Sequence, residues 1–172
     1  MSQTKVQLIQ GINTSAATTD VLTVRAATSA TPFAVTGGLD LANGMMNEKC
    51  NITAGKLSDN ANIDLANGMI HLFTTQETTT STPNIRVNSS TTLNSSMATG
   101  ECISVVLMTT AAAAGYSAQL TIDGGNVTEN WVGGAAPSAG GASGIDIYAY
   151  TIIKTGDAAF TVVANLSTTA AS

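Results

Sequence analysis

Ile145-Asp146-Ile147-Tyr148-Ala149-Tyr150-Thr151-Ile152-Ile153 is followed, after a turn at Lys154-Thr155-Gly156-Asp157, by Phe160-Thr161-Val162-Val163-Ala164-Asn165-Leu166. This pair of segments decides the fold class. Side chains on a strand alternate between two faces, so Phe160, Val162, Ala164 and Leu166 share one face while Thr161, Val163 and Asn165 share the other. In the first segment Ile145, Ile147, Ala149 and Thr151 alternate with Asp146, Tyr148, Tyr150 and Ile152, and both faces read as half buried. Two β-branched, period-two runs joined by a short polar turn predict an antiparallel hairpin.

The same signature repeats upstream. Asn84 to Val87, Cys102 to Met108, Gln119 to Ile122 and Val127 to Val132 are β-rich runs bounded by Gly, Pro, Asn or Ser. Asp123-Gly124-Gly125-Asn126 reads as a tight turn between two of them. Ala111 to Ala114 has room for one helical turn, which Gly115 stops. Gly133 to Gly144 is a Gly/Ser/Ala/Pro stretch that reads as a long surface loop, the kind of segment that often meets partners. Short strands at regular spacing predict an all-β fold, an antiparallel β-sandwich of jelly-roll-like kind, over residues 39–172.

Residues 1–38 differ. Short apolar patches (Val6 to Ile9, Val21 to Val24, Phe33 to Val35) are separated by Thr-Ala-Ser links too polar and β-branched for a good helix. They read as an extended N-terminal arm or as edge strands. Lys5, Val6, Leu8, Ile9, Val21, Val24 and Arg25 are its candidate partner contacts, since such an arm can add a strand to a neighbour's sheet. Between the zones, Asp40-Leu41-Ala42-Asn43-Gly44-Met45 recurs as Asp64-Leu65-Ala66-Asn67-Gly68-Met69. Asn-Gly is a strong hairpin signal, so each copy predicts strand, turn, strand. Two copies are too few for a solenoid on their own.

Composition narrows function. The 172 residues carry 10% charged side chains, well under the ~25% of an average domain, with a net charge of −5. Six basic residues argue against nucleic-acid binding, which needs clustered Lys and Arg. No apolar run approaches the ~18 residues of a membrane span. The start, Met1-Ser2-Gln3-Thr4-Lys5, lacks the apolar core of a secretory signal, so folding in a cytoplasm is expected.

Catalytic signals are thin. His71 is the single histidine, and the acids are spread singly from Asp20 to Asp157. Acid–base and metal chemistry draw on clusters of His, Cys, Asp and Glu; no enzyme activity, cofactor or metal is expected. The paired glycines lack the spacing of phosphate loops and read as turns. Cys50 and Cys102 read as buried free thiols. Trp131, the only tryptophan, suits stacking on a sugar or partner, or closing the edge of a core. Tyr116, Tyr148 and Tyr150 suit an interface or plain sheet packing.

The stretch from Met69 to Leu166 resembles a module of virion structural proteins of tailed phages, marine cyanophage-type ones above all. The resembling strings are Leu72 to Thr80, Pro83 to Asn88, Ala112 to Ala118, Glu129 to Gly134 and Asp146 to Thr155. The resemblance implies a particle component located in the virion and made in the host cytoplasm. A compact chain fits a capsid decoration or cement subunit. Its partners would be copies of itself, in a trimer, and the major capsid or neck and tail proteins. The alternative is a neck or tail fibre subunit binding a host-surface glycan or receptor through Trp131, the tyrosines and the 133–144 loop.

Overall fold

The longest ladder joins β9 (Ile145–Gly156) to β10 (Ala159–Thr168), the antiparallel hairpin expected from sequence. The computed structural model describes residues 47–171, so the arm at 1–38 and the first Asp-Leu-Ala-Asn-Gly-Met copy lie outside the described residues. The remaining elements are β1 (Cys50–Thr53), β2 (Asn62–Asp64), β3 (Ile70–Gln76), β4 (Asn84–Arg86), α1 (Leu93–Ser96), β5 (Cys102–Thr110), β6 (Thr121–Ile122), β7 (Gly125–Asn126) and β8 (Glu129–Trp131). The all-β expectation holds.

The pairing differs from the expected antiparallel scheme. One sheet has the order β1-β3-β5-β9-β10-β8 and the other β2-β4-β6-β7. β1/β3, β3/β5, β2/β4, β4/β6 and β8/β10 are parallel; only β5/β9, β9/β10 and β6/β7 are antiparallel. The reason lies in the path. From β1 to β6 successive strands alternate between the two sheets. Each return lays a strand beside its predecessor in the same direction, because an intervening crossover is what a parallel pair requires.

Parallel register then stacks like on like. Ile63, Ile85 and Ile122 occupy one row and are all buried. Beside them Asn84 Nδ2 donates to Asn62 Oδ1 (2.9 Å), and Thr121 Oγ1 donates to Asn84 Oδ1 (3.1 Å). One residue along, Arg86 Nε meets Asp64 Oδ1 at 2.6 Å.

The second Asp-Leu-Ala-Asn-Gly-Met copy is no hairpin. Leu65–Asn67 form a single 3-10 turn, and Gly68 carries the chain from one sheet to the other. Gly68 has φ +131°, and a Cβ there would lie 2.6 Å from the Lys49 carbonyl oxygen, so only glycine fits. The Asp123-Gly124 turn does form as expected, with φ +52° and +80° joining β6 to β7.

One helical turn was not expected from sequence, whereas the two expected loops form and take definite paths. α1 follows Thr92, whose hydroxyl caps Ser95 N, and its first amides, Leu93 N and Asn94 N, donate to the Asp123 carboxylate at 2.7 and 2.9 Å. Ala111–Ala114 form no helix; Gly115 N donates to Ala112 O in a tight turn. The 133–144 loop is exposed mainly in its first half. Its second half is docked: Gly140 N bonds Ala113 O, Ala111 N bonds Gly144 O, and Gly141 N donates to both Asp146 oxygens.

One apolar core receives both sheets. Phe73, Val105, Leu107, Tyr148, Tyr150, Ile152, Val162 and Ala164 come from the six-stranded sheet, and Ile63, Ile85 and Ile122 from the other. Leu57, Leu93, Met97 and Leu120 close it from the connections. Phe160 and Leu166 pack against it while Val163 stays 40% exposed, as the alternation required.

Candidate functional site

The six-stranded sheet divides its side chains unevenly. Its inner face holds the polar chemistry. His71, Thr109, Asp146, Tyr148, Tyr150 and Lys154 are all buried. Polar groups survive burial when hydrogen bonds replace water, and the connections supply most of them. Lys154 Nζ donates to Asn94 O and to Met97 O (2.7 Å), fastening α1. Ser117 N donates to the Tyr148 hydroxyl at 3.0 Å. Glu77 accepts from Leu57 N and Ser58 N. His71 Nε2 lies 2.9 Å from Gly68 O, and Asn51 Nδ2 lies 3.2 Å from Nδ1. That pattern suits the neutral ring with its proton on Nε2.

Burial sets the ionisation of these groups. Desolvation disfavours charge, so the His71 pKa is lowered, with Gly68 O and Asp64 opposing. Desolvation pushes Tyr148 up to about 12, and raises Tyr150 further. The Tyr150 hydroxyl has no hydrogen-bond partner among the described residues; Ser117 Oγ donates instead to Gln119 O. Apart from the Thr109 and Tyr150 hydroxyls, which have no partner among the described residues, these groups are locked into structure, mostly by backbone amides and carbonyls.

The outer face is the opposite. Register aligns Ile52, Leu72, Met108 and Ile147 across four neighbouring strands, and Cys50, Ile70, Val106 and Ala149 in the next row. Towards β10 and β8 the face turns to Thr151, Val163, Asn165 and Asn130. No Asp, Glu, Lys or Arg of the six strands points this way, and none of these side chains belongs to the core. Ile52 is 66% exposed.

A cleft opens at the far edge of the same sheet. It measures about 510 Å³ and is lined by Gln119, Val127, Glu129, Asn130, Trp131 and the 134–136 rim among others. Trp131 is half buried and meets Tyr150 edge-on, ring centroids 6.4 Å apart. Its Nε1 is buried with no partner among the described residues. Glu129 Oε1 accepts from Leu120 N at 2.5 Å.

The expected contact residues therefore separate. Lys5, Val6, Leu8, Ile9, Val21, Val24 and Arg25 lie outside the described residues. Trp131 lines the cleft. Tyr148 and Tyr150, 1% and 2% exposed, do not reach a surface; they stack on each other inside the core, rings 6.5 Å apart and 8° from parallel. The interface reading of those two tyrosines is replaced by sheet packing. Cys50 and Cys102 are free, but half buried and exposed rather than buried. Among the described residues no group of three His, Cys, Asp or Glu is placed to hold a metal ion, and no helix is long and apolar enough to cross a membrane.

No protein-family profile, curated protein or solved structure matches the chain.

Proposed function

We propose that this protein is a structural subunit of a phage particle, a capsid decoration or cement protein that works through lateral sheet contact. The observation that carries the proposal is the uncharged apolar outer face of the six-stranded sheet. Ile52 and Val163 there are exposed and Ile70, Leu72, Val106, Met108 and Ile147 half buried. A contiguous, partly accessible apolar surface outside the core suits an interaction site, and copies carrying a net charge of −5 repel each other least where no charge is displayed. The Thr, Ser and Asn positions towards β10 and β8 supply hydrogen bonds at the wetter rim of such a contact. The two sheets over one core suit such a subunit, although their mainly parallel pairing departs from an antiparallel jelly-roll. Symmetric self-assembly is the default for a structural subunit, and a trimer is the proposed state. The 1–38 arm and its Lys5-to-Arg25 contacts are proposed to reach a neighbouring capsid or neck protein.

A fibre subunit that touches a host-surface glycan is the second reading, favoured by the Trp131 cleft. Copy number separates the two. A stained gel of purified particles should show hundreds of copies for a decoration protein. A few to tens of copies would select the neck or fibre reading. Absence from the particle would overturn both.

A further inference from the structure

We propose that the Trp131 cleft is a binding site for an uncharged saccharide. The inference rests on the second reading above and names the chemistry of its ligand.

Three observations meet in one place. First, the only tryptophan of the chain lines a cleft of about 510 Å³, inside the ~300–1,000 Å³ range of ligand clefts. An indole offers a broad apolar face with few torsions to freeze. The Tyr150 edge contact already fixes this one, so ordering it on binding costs little.

Second, the polar lining has the valence that sugar hydroxyls need. Gln119 brings an amide, which both donates and accepts, and Glu129 brings a carboxylate. That carboxylate spends one oxygen on Leu120 N, and an ionised carboxylate has about four acceptor sites. Gln119 is exposed, and its side chain makes no hydrogen bond among the described residues. Alternating hydroxyls and C–H faces of a pyranose match this set, whereas a wholly apolar ligand would strand the amide and the carboxylate.

Third, the charge of the lining selects among sugars. Glu129 is the one charged residue among the lining side chains, and no Lys or Arg is present. Acidic sugars and phosphorylated ligands meet an uncompensated carboxylate and are disfavoured. The rim at Gly134, Ala135 and Ala136 carries almost no side chain, so the mouth admits a chain of sugar units rather than a single enclosed ring.

The single tryptophan makes the test direct, because its emission reports the cleft alone. The full chain is titrated with cellotriose, maltotriose and chitotriose, and separately with tri-galacturonic acid. At least one neutral trisaccharide should shift the Trp131 emission saturably in the millimolar range, with the acidic one at least tenfold weaker. Gln119→Ala should weaken binding about tenfold, and Ala135→Leu, which narrows the mouth at an exposed position, should abolish it. Both variants should keep the wild-type melting temperature. No response to any neutral trisaccharide up to about 50 mM, 50-fold above the ~1 mM of a weak complex, overturns the cleft as a sugar site, while the fibre reading stands or falls on the copy number in particles. Tighter binding of tri-galacturonic acid, lost in Ala135→Leu, overturns the uncharged-ligand inference and leaves the fibre reading standing. Undiminished neutral binding by Ala135→Leu places the sugar elsewhere and overturns the cleft assignment.

Discussion

The two faces of the six-stranded sheet invert ordinary expectation. The inner face of β9 carries Asp146, Tyr148, Tyr150, Ile152 and Lys154, all buried, while Ile145, Ile147 and Ile153 on the outer face remain partly accessible. Composition alone would turn that strand over. What decides its orientation is hydrogen bonding: Gly141 N, Ser117 N and the carbonyls of Asn94 and Met97 wait on the inner side. A buried polar group with a partner costs little, and a contiguous apolar face without charge is free to serve as a contact surface. The informative positions are the buried polar and the exposed apolar ones.

The comparison breaks most visibly at neighbouring residues of β5. Leu107 points into the core and Met108 away from it. Leu107→Ala should cost about 2–5 kcal/mol, and Met108→Ala, at a half-buried outer position, clearly less when the subunit is dilute enough to be dissociated. Urea denaturation of the two variants measures both. Equal losses would mean that the outer face is packed like a core.

Alkaline unfolding sharpens the inner side next. An acid whose folded pKa is raised stabilises the fold fully below its unfolded value and loses that contribution as pH climbs towards the folded one. For Tyr148, between 10 and about 12, the loss amounts to about 2.7 kcal/mol at 1.36 kcal/mol per unit. Stability should fall from pH 10 upward, and the fall should be shallower in Tyr148→Phe. A parallel decline in the variant would remove Tyr148 as a cause.

The acid limb should be gentler. His71 is neutral when folded and its pKa is lowered, so the unfolded chain takes up the proton first. Stability should decline as pH drops below the unfolded value near 6.5. The opposing pull of Gly68 O and Asp64 limits the slope. In His71→Gln the decline through pH 6 should flatten; an unchanged profile would assign it to other groups.

The smallest effect concerns the β9–β10 turn. Ala158 sits at φ +49°, where a Cβ costs about 1–2 kcal/mol, against about 0.5–1 kcal/mol for glycine's extra chain entropy. Ala158→Gly should raise stability by up to ~1 kcal/mol without touching either face. A lower melting temperature would show that the turn is not strained.

Much of the strand content was legible, because β5, β9 and β10 are long enough for alternation to show. The parallel path was not. β2, β4 and β6 are two or three residues long, and what identifies them is the stacking of Ile63, Ile85 and Ile122, a register set by crossovers distant in sequence. Asn67-Gly68 misled because an Asn-Gly corner between sheets and an Asn-Gly hairpin share one spelling. Trp131 was legible as a candidate contact. Its cleft was not, since Gln119, Glu129 and the 134–136 rim gather around it only once β8 pairs with β10 and the chain returns. Tyr148 and Tyr150 were ambiguous for a physical reason: an amphipathic ring suits a core with hydrogen-bond donors as well as it suits a surface.

The central claim is that the outer face is a contact surface between copies. Sedimentation velocity of the full chain and of the Leu72→Asp/Ile147→Asp double variant tests it most directly. The account predicts a wild-type oligomer, a variant monomer, matching circular dichroism for the two, and a melting temperature that rises with concentration only in the wild type. A monomeric wild type at several hundred micromolar, or a variant that assembles as the wild type does, would contradict it.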